Sequence, residues 1–429
     1  MDKRKLLEEL FYRAVDAVNP YKSMMRQARP VVEKYMEACG RMFVLAFGKA
    51  APPMAKAIEE IAGDRITRGV VITKYGHAEG YSFSDRFRVF EAGHPVPDSN
   101  GIKATEEALE MLRGLKEDDL VIILISGGGS ALFIKPVNGI SLKDKMETTS
   151  LLLKAGADIF ELNTVRKKLS RVKGGRLAEM VYPAKAVSFI LSDVLGDRPD
   201  MIASGPTVAD PTTTMDAVRV LRKYNLLLKV PEAVRRYLLE HRDEAGMGKK
   251  DIHRRVENII IGSNSIALDA ALKEASSRGL KAEIIDRSLH GEARDAGRRL
   301  AEVAIKRQRE KNSDSYLCLL SGGETTVTVT GSGRGGRNTE LALSFAIAIN
   351  GINGISMLSA GTDGTDGPTD AAGAIVDGGT VLRGITKGLD PRVYLDNNDS
   401  YTFLKETGDL FITGPTGTNV MDIQIILIG

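Results

Sequence analysis

The sequence predicts an α/β protein of two domains, and three observations carry that expectation. The chain has 429 residues, about three times the length of one typical domain. From residue 42 onward short apolar runs alternate with segments of helical periodicity, the rhythm of strand–helix–strand units. The early runs are continuous, as suits strands covered on both faces of a three-layer, mostly parallel sheet, whereas two later runs alternate by two, as suits a mixed sheet partly exposed on one face. The expectation is an N-terminal Rossmann-like α/β/α domain over residues 1–245 and a C-terminal α/β domain with a mixed sheet over 246–429.

Taken in order, two amphipathic helices open the chain at 3–18 and 22–38, broken by Asn19-Pro20. Strands follow at 42–47 (MFVLAF), 69–73, 86–90, 120–126 (LVIILIS) and 186–192 (AVSFILS), with helices at 52–62, 100–115 and 142–155. The charge-dense stretch 235–255, with glycines in its middle, reads as an exposed connection and gives the domain boundary. Beyond it come strands at 258–262, 282–286, 316–322, 325–329 (TTVTV), 355–360, 409–413 and 420–428 (VMDIQIILI), and helices at 265–278, 291–311 and 338–349.

Composition narrows the class. Lys+Arg of 59 against Asp+Glu of 56 gives a formal charge of +3, which announces no nucleic-acid or membrane-binding surface. Cys39 and Cys318 lie far apart, in neither metal-ligand nor disulfide-framework spacing, consistent with a reducing cytoplasm. Neither a signal peptide nor an apolar run of about 18 residues is present. Only Gln27, Gln308 and Gln424 represent glutamine, a bias of heat-adapted proteins. His77, His94, His241, His253 and His290 form no ligand pair, and His94, in GHPVPDSNG, reads as a residue of a rigid turn. Zinc chemistry and Ser-His-Asp hydrolysis are therefore not expected.

Glycine is the outlier, with 44 residues or roughly 10% of the chain against about 7% on average. The glycines fall just after the strands: Gly48-Lys49, Ser126-Gly127-Gly128-Gly129-Ser130, Gly322-Gly323-Glu324, Gly331 to Asn338, Gly361 to Gly367, and Gly414 to Asn419. In open α/β sheets ligands bind beyond the carboxyl ends of strands, where glycine lets backbone N–H groups reach an anion. One such loop is as well explained as a turn, but five or six interleaved with Lys, Arg, Ser and Asp indicate a sizeable anionic ligand. No Walker A pattern exists. Gly331, Gly333 and Gly336 satisfy G-x-G-x-x-G, yet Arg334 and Arg337 stand among them and no acid follows about 20 residues on. Arginines there suit a clamp on phosphoryl oxygens. Asp193, Asp197, Asp363 and Asp366 after strands supply the one or two carboxylates that Mg²⁺ usually takes alongside phosphate oxygens.

The motifs FGKAA (47–51), GHPVPD (93–98), ISGGGSAL (125–132), NTVRKKLSRVKGGRLA (163–178), LSDVLGDRPDMIASGPT (191–207), LSGGETTVTVTGSGRGGRN (320–338) and SAGTDGTDGPTDAAGA (359–374) together resemble the type 2 glycerate kinase family, with its MOFRL portion at the carboxyl end. The resemblance spans nearly the whole chain. It implies ATP- and Mg²⁺-dependent phosphorylation of D-glycerate in a cleft between the two domains, with 2-phosphoglycerate the favoured product and 3-phosphoglycerate left open. Lys49 and Arg337 match the family's cleft cations. By that similarity, Lys49 and the nest of Ser126, Gly127, Gly128, Gly129 and Ser130 hold anionic oxygens, and Arg337 neutralises the transferring phosphoryl group with Arg334 as helper. Asp193 or Asp197 holds Mg²⁺ while the other orients it or acts as base, and Glu324 is a second base candidate. Gly331, Gly333, Asn338 and Asp363 are expected to contact substrate or nucleotide. Arg166 and Lys173, beside the helix-breaking Gly174-Gly175, would suit a carboxylate such as glycerate's. Small-molecule substrates are the only partners expected, for a cytoplasmic monomer or homodimer. The competing reading is an NAD(P)H-dependent hydroxypyruvate reductase, resting on the Gly331, Gly333 and Gly336 pattern.

Overall fold

The computed structural model describes residues 2–241, 252, 254–311 and 315–429. Packing divides the chain into Pro20–Ile261 and a second unit of Met1–Asn19 with Gly262–Gly429. The expected boundary at 245/246 lies outside the described residues. Two assignments on either side of it change: the first helix belongs with the second unit, and the strand near 258 belongs with the first.

The unit Pro20–Ile261 is built on β1 (Met42–Phe47), β2 (Ile66–Lys74), β3 (Phe87–Ala92), β4 (Leu120–Ile125), β5 (Lys185–Leu191) and β6 (Val256–Gly262). Their order is β3-β2-β1-β4-β5-β6, and β1 to β5 pair in parallel throughout. Every residue of β1 and β4 is buried, so their apolar runs are continuous because both faces are covered. The sheet order reverses direction between β1 and β4, the point where an open α/β sheet parts at its carboxyl end and admits a ligand. The expected helix at 22–38 is present as Pro20–Ser23, a π-turn over Met24–Ala28, and Arg29–Met36. Pro30 has no N–H to offer the Arg26 carbonyl, and the widened turn precedes it. A helical cluster, including Leu142–Lys154, Ile159–Lys168 and Thr214–Lys223, closes around Leu152, Leu162, Val165 and Leu221.

The second unit holds β7 (Lys281–Leu289), β8 (Leu317–Gly323), β9 (Ile355–Gly361), β10 (Gly373–Asp377), β11 (Leu410–Phe411) and β12 (Asp422–Ile428) in the order β11-β10-β9-β12-β8-β7. Only β7 and β8 pair in parallel; the other pairs are antiparallel. The sheet is mixed, but not for the reason read from the sequence. All of β12 is buried: the side chain of Gln424 accepts from Ser321 Oγ at 3.2 Å and donates to Ser359 Oγ at 3.4 Å, so a polar residue in an alternating strand is satisfied inside. TTVTV forms no strand. It makes one bridge, Thr326 to Glu292, and Thr328 donates to the Glu292 carboxylate. The helix Lys3–Ala17 buries Leu7, Leu10 and Phe11 in this unit, with Phe11 edge-on to Phe411 and Arg4 donating to the carbonyls of Gly408 and Leu410. No helix among the described residues is long and apolar enough to cross a membrane.

Candidate active site

At the β1/β4 parting the carboxyl ends of the two strands are laced together by hydrogen bonds. The Ser126 N–H donates to Phe47 O, the Lys49 N–H to Gly127 O at 2.8 Å, and the Ala50 N–H to Ser126 Oγ at 3.0 Å. Gly48 makes this possible: at φ +122° it adopts a backbone closed to most side chains, and a Cβ there would collide with Ser126. Gly128 is left-handed at φ +83° and starts the short helix Gly129–Leu132. The N–H groups of Gly127 and Gly128 have no acceptor among the described residues. The Lys49 ammonium likewise has no partner among them. Free backbone donors and an uncommitted ammonium on neighbouring residues are the groups an anion receptor requires.

Carboxylate and imidazole close on this nest from two directions. A Cβ on Gly127 would strike Asp193 Oδ2, and one on Gly128 would lie 2.9 Å from His94 Cδ2 and 3.3 Å from Lys49 Cγ. Asp193 follows β5 by two residues, and Asp197 stands in the same loop with a left-handed backbone at φ +51°. No group of three or more His, Cys, Asp or Glu side chains gathers among the described residues. A Mg²⁺ ion held here would therefore depend on phosphate oxygens as well as Asp193 or Asp197, which is its usual preference.

Ser130 connects the nest to a buried cationic region. Its hydroxyl lies 2.7 Å from Ser204 Oγ, which donates to Asn163 Oδ1 at 3.0 Å, and its carbonyl accepts from Lys173 Nζ at 2.8 Å. Lys173 is completely buried, and burial followed by repulsion from Lys145 and Arg166 depresses its pKa well below the usual lysine range. Lys145, which the sequence reading passed over, is buried too and donates to Leu169 O; burial and the charges of Arg166 and Arg176 depress it in the same way. Arg166, whose pKa burial also lowers, has no hydrogen-bond or ion-pair partner among the described residues. The helix break expected at Gly174-Gly175 runs from the end of Ile159–Lys168 to the start of Arg176–Val181. From across it Arg176, the first residue of the second helix, caps the last carbonyls of the first.

In the second unit Arg337 opens the helix Arg337–Ala348. Its Nε and Nη2 donate to the two oxygens of Asp422 at 2.6 and 2.9 Å, and its Nη1 donates to Glu324 at 2.6 Å. Three of five donors are so used, and two remain. Asp422 heads β12 opposite Gly323 of β8 and Gly361 of β9, a position that only strand pairing reveals. Burial raises its pKa to about 6 despite Arg337. For Arg337, burial lowers the pKa, but the bonds to Asp422 and the charges of Asp422, Glu324 and Asp366 outweigh it and leave it raised. Glu324, expected as a base, is instead the second anchor of this guanidinium.

Several expected contacts have other work. Gly331 and Gly333 let their loop lie directly on Asn397 and Asp399, where a Cβ would collide. Arg334 stacks over the Tyr401 ring at 4.4 Å rather than joining Arg337. Asn338 is buried, accepting from Ser359 Oγ at 2.7 Å. Asp363 accepts from Thr365 N and Asn419 Nδ2 and so ties two loops together. Asp366 accepts from the N–H groups of Asn338 and Thr339, capping the helix of Arg337 from a distant loop.

The family model described as a domain of unknown function (DUF4147) matches residues 6–239, and that of the MOFRL family matches residues 317–422. The chain is 49% identical to a D-glycerate 2-kinase of Thermotoga maritima, covering 99% of this chain and 98% of that protein. It is 43% identical to a protein of Agrobacterium vitis named putative hydroxypyruvate reductase, covering 99% and 94%. The crystal structure of a glycerate kinase from Thermotoga maritima matches with a TM-score of 0.91 at 48% identity, over 99% of each chain.

Proposed function

The chain belongs to the type 2 glycerate kinase family, and from that membership we infer that it is a glycerate 2-kinase, transferring the γ-phosphoryl group of ATP to D-glycerate to give 2-phosphoglycerate. The observation that supports this chemistry best is the set of donors at the β1/β4 parting: an uncommitted Lys49 ammonium and two free backbone N–H groups on neighbouring residues. Anionic oxygens are what such a site binds. In this reading Lys49 and the nest from Ser126 to Ser130 hold phosphate or carboxylate oxygens. Arg337, oriented by Asp422 and Glu324, offers its two remaining N–H donors to the charge that develops on the transferring group. Asp193, with Asp197, would hold Mg²⁺, which would supply positive charge against the phosphate oxygens. Arg166, with Lys173 behind it, takes the acceptor's carboxylate.

The reductase reading loses its sequence support in this chain. The glycines of its G-x-G-x-x-G pattern are occupied by packing, and the run before them is no strand. A coupled assay decides both reaction class and regiochemistry. ADP should form only with glycerate, ATP and Mg²⁺ together, and enolase alone should consume the product. A requirement for phosphoglycerate mutase would move the phosphoryl group to the 3-hydroxyl. Oxidation of NADPH by hydroxypyruvate without ADP formation would return the reductase.

A further inference from the structure

Of the described histidines, His77, His241 and His290 each have a ring nitrogen on a backbone carbonyl, those of Lys49, Tyr237 and Ser288. His94 does not. Neither of its ring nitrogens has a hydrogen-bond partner among the described residues. The ring nevertheless has a built position: it lies against Gly128, where a Cβ would come within 3.0 Å of Nε2, and beside the Lys49 side chain. An imidazole without a protein partner, at the edge of an anion nest, has its lone pair available for a ligand.

We propose that His94 is the base that removes the proton of the acceptor hydroxyl during phosphoryl transfer. The proposal rests on the glycerate kinase reading. As the O–H proton moves to a ring nitrogen of His94, the hydroxyl oxygen forms its bond to the γ-phosphorus. The bond from that phosphorus to the β,γ-bridging oxygen breaks, and its electron pair leaves on ADP. The imidazolium returns its proton to solvent after product departs. The groups facing His94 fit this role. Burial comes first, then the charges of Lys49, Lys74 and His77, in lowering its pKa to about 4, so it is neutral and able to accept at neutral pH. Anionic substrates bound at Lys49 offset that repulsion, and the basicity of His94 rises as the substrates arrive. Of the competing bases, Glu324 is held by Arg337 at 2.6 Å, and Asp193 and Asp197 are given to the metal in the reading above.

The test uses the whole enzyme with saturating ATP and Mg²⁺. His94→Ala should lower kcat by ~10²–10⁴-fold, with KM for glycerate and the melting temperature little changed, and added imidazole should restore part of the rate. His94→Asn, which keeps size and polarity, should be as slow as His94→Ala and should hold the fold if the smaller residue does not. The histidine proton resonance absent from His94→Asn should titrate at higher pH in the wild type with glycerate and a non-hydrolysable ATP analogue than without them. Retention of wild-type kcat in His94→Asn would overturn the proposal, as would a loss carried by KM alone with no imidazole rescue, which marks a structural role. A wild-type enzyme giving no glycerate-dependent ADP would instead overturn the kinase reading beneath it.

Discussion

Arg337 shows how much a side chain's partners decide about its use. Its bidentate bond to Asp422 fixes the guanidinium plane, a fixation that a lysine cannot reproduce. Arg337→Lys should therefore keep the charge and the fold yet lower kcat by ~10²–10³-fold, the range for one lost transition-state donor, measured by ADP release at saturating substrates. Asp422 adds a pH dependence. Its pKa of about 6 means that it is ionised above that pH and holds Arg337 with both oxygens; below it, protonation removes one acceptor. Activity should fall as the pH drops through about 6, and Asp422→Asn should have low activity with no such limb. A profile of unchanged shape in that variant would remove Asp422 from the account. Arg166 makes a third case at this scale. A hydrogen bond to a charged group contributes ~1.5–3 kcal/mol, so Arg166→Ala should raise KM for glycerate by about tenfold to a hundredfold and leave KM for ATP alone. An equal rise in both would assign Arg166 to the nucleotide.

The elements differ in how legible they were. Strands β1, β4 and β5 were evident because burial on both faces requires an unbroken apolar run, and that requirement is visible in one dimension. The glycine turns after them were equally legible, since a strand end needing φ above zero leaves few residue choices. What failed were features set by partners distant in sequence. TTVTV has the pattern and propensity of a strand, yet it hangs from Glu292 and packs by its following loop on residues 397–400. Asp422 and Lys145 gave no local signal, because an acid at a strand head and a lysine in a helix are ordinary until pairing and packing bury them. The loop offers its own test. At Gly331 the obstacle to a side chain is the Asn397 carbonyl rather than φ, so Gly331→Ala should cost about 1–3 kcal/mol of stability, as overpacking does. Chemical denaturation should show that loss while kcat per folded molecule stays near wild type. A variant of wild-type stability with a raised KM for ATP would return the loop to the nucleotide.

At the scale of the molecule, the chain order misled where the composition could not help. The first helix precedes the first sheet in sequence, so proximity places it there, and Asn19-Pro20 reads only as the break between two helices of one domain. In the fold that break is where the chain leaves one unit for the other. The second unit is therefore discontinuous, and its stability depends on the helix Lys3–Ala17, which the whole of the first unit separates in sequence from its main body at Gly262–Gly429. Leu6, Leu7, Leu10 and Phe11 of the helix are at most 4% exposed, and burying each such side chain contributes about 1.5–3 kcal/mol. Four together approach the whole stability of an ordinary domain, about 5–15 kcal/mol. A chain beginning at residue 20 should accordingly keep 20–261 resistant to limited proteolysis while 262–429 is digested. Joining residues 2–19 through a flexible linker to residue 262 should restore cooperative melting to the second unit alone. If 262–429 melts cooperatively at the same temperature with and without the helix, then the helix is an accessory to that sheet, and the N-terminal segment contributes to the protein in some way other than completing its core.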